Sequence, residues 1–389
     1  MNYDCMAEQS NKIRDSVLMV TTTIYKNPTG GRGLLSKLNA DALRTLYGNH
    51  LHIYELQRSP LRGIVSYYNA FRGLVDGLNA ATIDEICAIV RHRNVRHVFV
   101  DGSNLGALVD VLKHRFNCLV ITVFFHNVEA RFFWGNFIAS KSIRALAILV
   151  ANCLAECKAT CLSDKRICLS ERDSNLLKRI YGKNATHIAP MAMEDKLPSF
   201  GDDGEPPPDC KPFALFVGGN FYANRDGIIW FVQHVAQLVD IKTYVVGKGM
   251  EDMRAQLEIP GRVEVIGSVD SLAEWYRRAR FVIAPIFDGS GMKTKVAEAL
   301  MHGKKVVGTP EAFSGYERVA ARAGWCCSSP TEFVAAINAA CSTITLSFDP
   351  KLRLLYEEYF SLSAATARLA FALGEAEILE RGNPTCSEI

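Results

Sequence analysis

Residues 288–315 read D-G-S-G-M-K-T-K-V-A-E-A-L-M-H-G-K-K-V-V-G-T-P-E-A-F-S-G, and their order decides how the chain folds. Gly289-Ser290-Gly291 opens an amphipathic helical pattern. The first free backbone N–H groups of such a helix point outward, at the positive end of its dipole. That is an anion site before any side chain is counted. Lys293 and Lys295 are predicted in the first turn, with Glu298 one turn later, placed to accept hydrogen bonds from a sugar hydroxyl. A turn at Gly303, an apolar strand at Val306-Val307 and a loop ending at Gly315 complete the unit. The outline is a pocket for a polyanion that carries a polyol.

Working outward, an apolar strand (Phe281-Val282-Ile283-Ala284) and Pro285 precede the loop. Pro212 to Asp226 reads P-F-A-L-F-V-G-G-N-F-Y-A-N-R-D, a strand, a glycine turn and a helix start. Tyr244-Val245-Val246-Gly247-Lys248-Gly249 and Val263-Glu264-Val265-Ile266-Gly267 are two further strands that end on glycine turns. In the first half, Val17-Leu18-Met19-Val20 leads into Pro28-Thr29-Gly30-Gly31-Arg32-Gly33. His126-Asn127-Val128-Glu129 follows an apolar strand, and Cys168-Leu169-Ser170-Glu171-Arg172-Asp173 reads as a strand and helix cap. Short β-rich runs alternating with helical segments indicate parallel sheets.

These segments together resemble the retaining glycosyltransferases of family 4, and the resemblance covers most of the chain. It implies an α/β GT-B fold, two Rossmann-like parallel-sheet domains facing across a cleft. It implies transfer of a sugar from a nucleotide diphosphate-sugar to a glycan or lipid-linked acceptor, in polysaccharide or glycolipid biosynthesis, with retained anomeric configuration. The expected catalytic residues are His126, Lys293 and Lys295. Donor binding is expected from Gly30, Gly31, Gly218, Gly219, Asn220, Lys248, Gly267, Ser290, Gly291, Met292 and Glu298, with Glu311 to Gly315 framing the sugar or phosphate. No metal and no other cofactor is expected, because the two lysines and the helix terminus suffice to stabilise a leaving diphosphate and no Asp-x-Asp motif lies near the loop.

Two departures from the family pattern have consequences. Many members carry two acidic residues, of which Glu298 matches the second; Ser290 stands at the first. The arginine and lysine that many members place after the first strand of this domain are replaced by Gly218-Gly219-Asn220, which shifts phosphate neutralisation onto Lys293, Lys295 and Lys248. A nucleotide-sugar epimerase on the same scaffold and a non-catalytic nucleotide-sugar-binding subunit are the alternative readings. A nicotinamide dehydrogenase is disfavoured by the absence of G-x-G-x-x-G after a first strand.

A chain of 389 residues accommodates two domains, and 49 % hydrophobic with 22 % charged residues suits sizeable cores. Residues 200–212 (F-G-D-D-G-E-P-P-P-D-C-K-P) read as a linker. The expected organisation is an acceptor-side domain over 1–200, a linker over 201–212, a donor domain over 213–350 and a helical segment over 351–389 that crosses back to the first domain. Residues 1–200 hold 25 Lys and Arg against 17 Asp and Glu, whereas residues 201–389 hold 19 against 24. Met1 to Asp15 is polar and lacks an apolar h-region, so reduced thiols and a cytoplasmic location are expected. A basic first domain suits an anionic partner such as a lipid pyrophosphate or an acidic membrane surface, with peripheral contact at the inner face of the membrane, and no nucleic-acid partner is expected. Residues 132–157 are rich in Ile, Leu, Phe and Ala, and a core helix is the expected outcome. Cys153, Cys157 and Cys161 would share one helix face as small buried apolar groups rather than as a metal site, their spacing not being C-x-x-C.

Overall fold

The computed structural model describes residues 16–22, 24, 31–57, 64–197, 211–289 and 291–375. Gly30, Ser290, residues 201–210 of the expected linker and residues 376–389 of the expected terminal segment lie outside the described residues.

Two six-stranded sheets organise the chain, and every strand pairing within them is parallel. The first contains β1 (Ser16–Thr22), β2 (Leu51–Leu56), β3 (Val95–Asp101), β4 (Val120–Phe125), β5 (Lys165–Cys168) and β6 (His187–Ile188) in the order β2-β1-β3-β4-β5-β6. The second contains β7 (Phe213–Val217), β8 (Lys242–Val246), β9 (Val263–Gly267), β10 (Phe281–Ala284), β11 (Val306–Gly308) and β12 (Gly324–Cys326) in the order β12-β11-β10-β7-β8-β9. Parallel strands covered on both faces by helices need apolar residues throughout, as in Phe213-Ala214-Leu215-Phe216-Val217, all buried. Along β1 the two-residue period divides the side chains: Val17 and Met19 join one core cluster, Leu18 and Val20 the other.

In each sheet the chain reverses direction of growth beside its first strand, between β1 and β3 in one and between β7 and β10 in the other. Ligands of such sheets bind at the carboxyl ends of the strands flanking this point. Thr21 and Asp101, with His126 just beyond β4, mark it in the first domain; Gly218 and Pro285 mark it in the second.

After β6 the chain runs through Met191 and Met193 toward the second domain, and the C-terminal helices pack on that crossing. Met193 N donates to Phe360 O at 2.7 Å, Tyr356 Oη donates to Met193 O at 2.8 Å, and Arg353 pairs with Asp195. The helix Leu362–Leu373 packs against Gly31–Tyr47 of the first domain, and Pro350–Tyr359 against Thr294–Met301 of the second. One continuous core cluster therefore includes residues of both domains, from Val17 to Leu373.

The helix Ile143–Leu162 departs from the expected core helix. Its buried face is Ala145, Leu149, Ala151, Ala155, Glu156, Ala159 and Thr160, whereas Ile143, Leu146, Val150 and Leu154 are exposed. Cys153, Cys157 and Cys161 are half-buried free thiols rather than buried ones. Composition marked the segment as apolar but could not say which apolar side chains face outward.

Candidate active site

Gly289, Gly291 and the helix that follows them sit at the switch point of the second sheet. The helix spans Thr294–Met301, so Lys293 is the residue before its first turn rather than within it, and the Tyr316 hydroxyl donates to the Lys293 carbonyl at 2.8 Å. Lys293 Nζ donates to Gly291 O at 2.9 Å and to Glu311 Oε1 at 2.8 Å. Burial pulls its ammonium below the ordinary value, and the Glu311 carboxylate opposes that shift. The other Glu311 oxygen accepts from Arg172 Nη1 at 2.8 Å, so the loop before Gly315 is tied to a helix (Glu171–Tyr181) of the first domain.

Lys295 is buried. Its Nζ donates to Asn224 Oδ1 at 2.8 Å and lies 4.6 Å from the centroid of the Phe216 ring. Burial lowers it to about 7, because neither an amide oxygen nor a ring face replaces the water that an ammonium loses. Asn224 Nδ2 donates to Gly219 O at 3.0 Å, so Asn224 ties the glycine turn after β7 to the donor helix. A β-carbon on Gly218 would sit 2.8 Å from the Asn224 amide, which explains the glycine there. Nearby, Asn220 N donates to Lys248 O and Asn220 Nδ2 to Gly249 O, and Lys248 is exposed at this rim. Gly267 lies one strand further out, packed against Glu251.

Glu298 accepts from the Tyr276 hydroxyl at 2.8 Å, and burial raises its carboxyl above the ordinary range. Met292 is a packing residue: it fills the space beside Gly315, and its sulfur accepts from Met191 N at 3.3 Å across the domain boundary. Gly31 lies in the first turn of the helix Gly31–Tyr47, exposed, with nothing close to the position of a β-carbon.

His126 faces this loop from the first domain. A β-carbon on Gly291 would lie 3.5 Å from the His126 carbonyl oxygen. His126 Nε2 lies 3.0 Å from Asp101 Oδ1, and the ring packs edge-on against Phe124. Asp101 also accepts from Thr21 Oγ1 at 2.7 Å and from Asn39 Nδ2 at 2.9 Å. Burial alone would raise the Asp101 carboxyl, but His126 and the hydroxyl donors outweigh it and hold it well below the usual carboxylate range. Both ring nitrogens of His126 and the Asn127 Oδ1 are buried without a well-aligned protein hydrogen bond among the described residues, so the Nε2 approach to Asp101 is a close charge contact. Among the described residues no three His, Cys, Asp or Glu side chains are grouped to hold a metal ion.

The geometry brings together His126, Gly291, Lys293 and Lys295 at the facing carboxyl ends of two parallel sheets. The sequence profile described as Glycosyl transferases group 1 matches residues 211–343, which hold the second sheet, its glycine turns and the donor loop. Residues 211–343 are thus similar to group 1 glycosyl transferases. No curated protein sequence matches the chain. Solved structures match over nearly its whole length. Sucrose-phosphate synthase from Thermosynechococcus elongatus is 15% identical, with a TM-score of 0.67 over 95% of this chain and 100% of that one. Anabaena HepE, solved in complex with UDP, is 12% identical, with a TM-score of 0.62 over 92% and 99%. The lipopolysaccharide outer core galactosyltransferase WaaB, in its apo form, is 11% identical, with a TM-score of 0.63 over 92% and 99%. The fold of the chain is therefore GT-B, with both domains present.

Sequence reasoning missed Asp101, Thr21, Asn39 and Asn224. Asp101 carried a signal, a charged residue closing an otherwise apolar strand (Val98-Phe99-Val100) beside the switch point. Nothing in the local sequence marks Asn39, which reaches Asp101 from a helix 62 positions away.

Proposed function

We propose that the protein is a retaining glycosyltransferase that moves a sugar from a nucleotide diphosphate-sugar to a glycan or lipid-linked acceptor in polysaccharide or glycolipid assembly, without a divalent metal. The observation that carries this reading is the pair Lys293 and Lys295 at the N-terminus of one helix, opposite His126 with its unpartnered Nδ1. Breaking a glycosyl–phosphate bond places negative charge on the leaving diphosphate, and fixed cations with a helix terminus stabilise it most where charge grows. Lys293 and Lys295 receive the phosphates, Glu298 holds the ribose hydroxyls, and His126 contacts the sugar or leaving group. The leaving phosphate oxygen takes the acceptor proton, so no separate nucleophile and base are required. The enzyme works on the cytoplasmic side, where nucleotide-sugars are made.

HepE is solved with UDP, which supports UDP as the first nucleotide to test. The experiment is thermal stabilisation by UDP, GDP and ADP, each with and without magnesium, on the native chain and on Lys293→Ala/Lys295→Ala. Stabilisation of the native chain by one diphosphate without magnesium, lost in the double variant, is expected. An equal response from both proteins, or a strict magnesium requirement, overturns the assignment. Release of free sugar or transfer with retained configuration then separates a transferase from an epimerase or a binding subunit.

A further inference from the structure

The helices Glu129–Ser140 and Ile143–Leu162 form a hairpin that begins directly after His126 and Asn127. Its outer side is unusually apolar. Trp134 is 53% exposed, Ile138 50%, Ile143 87% and Leu154 50%, with Phe132, Leu146 and Val150 exposed beside them. Tyr68 and Phe71, also exposed, lie on the helix Ile64–Phe71, which packs against the second arm. Several large exposed apolar side chains on neighbouring packed helices are a signature of a docking site.

The arrangement of residue sizes on the second arm is reversed from that of a core helix. Alanines line most of its buried face, which lets it approach closely: a β-carbon on Gly106 would lie 1.8 Å from Ala155 O. The large aliphatic side chains recur at 143, 146, 150 and 154 on the outside. By length and composition this helix could cross a bilayer. Its inner face holds it in the protein, because the Glu156 carboxylate accepts from Ser103 Oγ, from the backbone N–H of Glu129 and Ala130, and from the Tyr181 hydroxyl. A helix pinned through a buried carboxylate lies along a surface rather than through one.

Charge selects the occupant. Between residues 130 and 155 there are three basic residues, Arg131, Lys141 and Arg144, and no Asp or Glu. Lys141 closes the first arm and Arg144 opens the second, so both sit at the hairpin tip, exposed, and among the described residues no carboxylate pairs with either. Interfacial aromatic and aliphatic groups with basic residues around them are the pattern of a helix lying in a headgroup layer. Arg131 also lines, with Val128, Arg172 and Gly289, a cavity of about 250 Å³ beside the donor loop. We propose that the hairpin 129–154 seats the protein on an anionic lipid surface, with this cavity opening next to the membrane. The placing of a lipid-linked acceptor there rests on the function proposed above; the docking itself does not.

The test is co-sedimentation of the purified full chain with phosphatidylcholine vesicles containing or lacking phosphatidylglycerol, alongside its oligomeric state by light scattering. The native chain is expected to bind the anionic vesicles preferentially. Trp134→Glu/Leu146→Glu is expected to lose that binding while keeping its melting temperature and its response to nucleoside diphosphate. Lys141→Gln and Arg144→Gln should each weaken binding about fivefold. Absence of vesicle binding by the native chain, undiminished binding by Trp134→Glu/Leu146→Glu, or a native dimer that this variant dissolves without any lipid binding would each overturn the proposal. A native chain that binds vesicles but no nucleotide would overturn the donor assignment alone.

Discussion

Asp101 Oδ1 lies 3.0 Å from His126 Nε2, and the two residues end or follow neighbouring strands, β3 and β4, of the first sheet. Nε2 faces a buried carboxylate, and Nδ1 has no protein hydrogen bond among the described residues. Asp101 is thus a positioning residue for His126. Asp101→Asn keeps the shape and the Thr21 contact but removes the charge. A charge-assisted hydrogen bond is worth about 1.5–3 kcal/mol, so turnover should fall about 10–100-fold. The pH profile of kcat should change with it, while the KM for donor stays nearly constant. A normal profile in the variant would leave Asp101 with a folding role only.

Lys295 contributes to the site at the expense of stability. Its folded value is about 7 against an ordinary 10.5. Between these values the unfolded chain holds the proton and the folded chain releases it, so the stability of the native protein rises with pH across this window. Below about 7 the cost of the buried ammonium is fully present. Lys295→Met should therefore melt higher than the native protein at pH 7, and the difference should narrow toward pH 10. The same variant should lose its stabilisation by nucleoside diphosphate. Calorimetry at several pH values reads both effects.

Glu298 separates ribose from phosphate recognition. Glu298→Ala should weaken nucleoside diphosphate binding about 10–100-fold, the range for a hydrogen bond to a charged group. Binding of inorganic pyrophosphate should change little. Glu298→Gln keeps an acceptor for the Tyr276 hydroxyl and should melt close to the native protein. Equal losses for both ligands in isothermal titration would place Glu298 at the phosphates instead.

Gly315 holds a φ of +88°, and a β-carbon there would lie 2.3 Å from Met292 Cγ. Gly315→Ala combines a backbone cost of about 1–2 kcal/mol with this clash. It should lower both melting temperature and donor affinity, since Met292 immediately precedes Lys293. Met292→Ala should relieve part of the stability loss in a double-mutant cycle. Strict additivity would show that the clash relaxes elsewhere.

The sheets and the donor loop were legible because a parallel strand, a glycine turn and a helix start each leave a contiguous signature, as in Phe213 to Asp226 and in residues 281–301. Side chains that act over long separations leave none. The link from Lys295 to Asn224 spans 71 positions, and that from Arg172 to Glu311 spans 139. Composition identified residues 132–157 as apolar, but the break between the helices Glu129–Ser140 and Ile143–Leu162, and which side faces out, depend on Glu156 and on the close approach of Gly106. Both effects belong to packing between elements.

The carboxylate of Glu311 stands between two cations on different domains, Lys293 at 2.8 Å and Arg172 at 2.8 Å. An anion arriving at Lys293 therefore does not meet a free ammonium; it exchanges partners with a group already committed. That exchange leaves Glu311 with Arg172 as its remaining cationic partner across the cleft. Anion binding at Lys293 and the Glu311–Arg172 contact between the domains are then coupled, and a mutation at Arg172, outside the second domain, should change how tightly an anion is held within it.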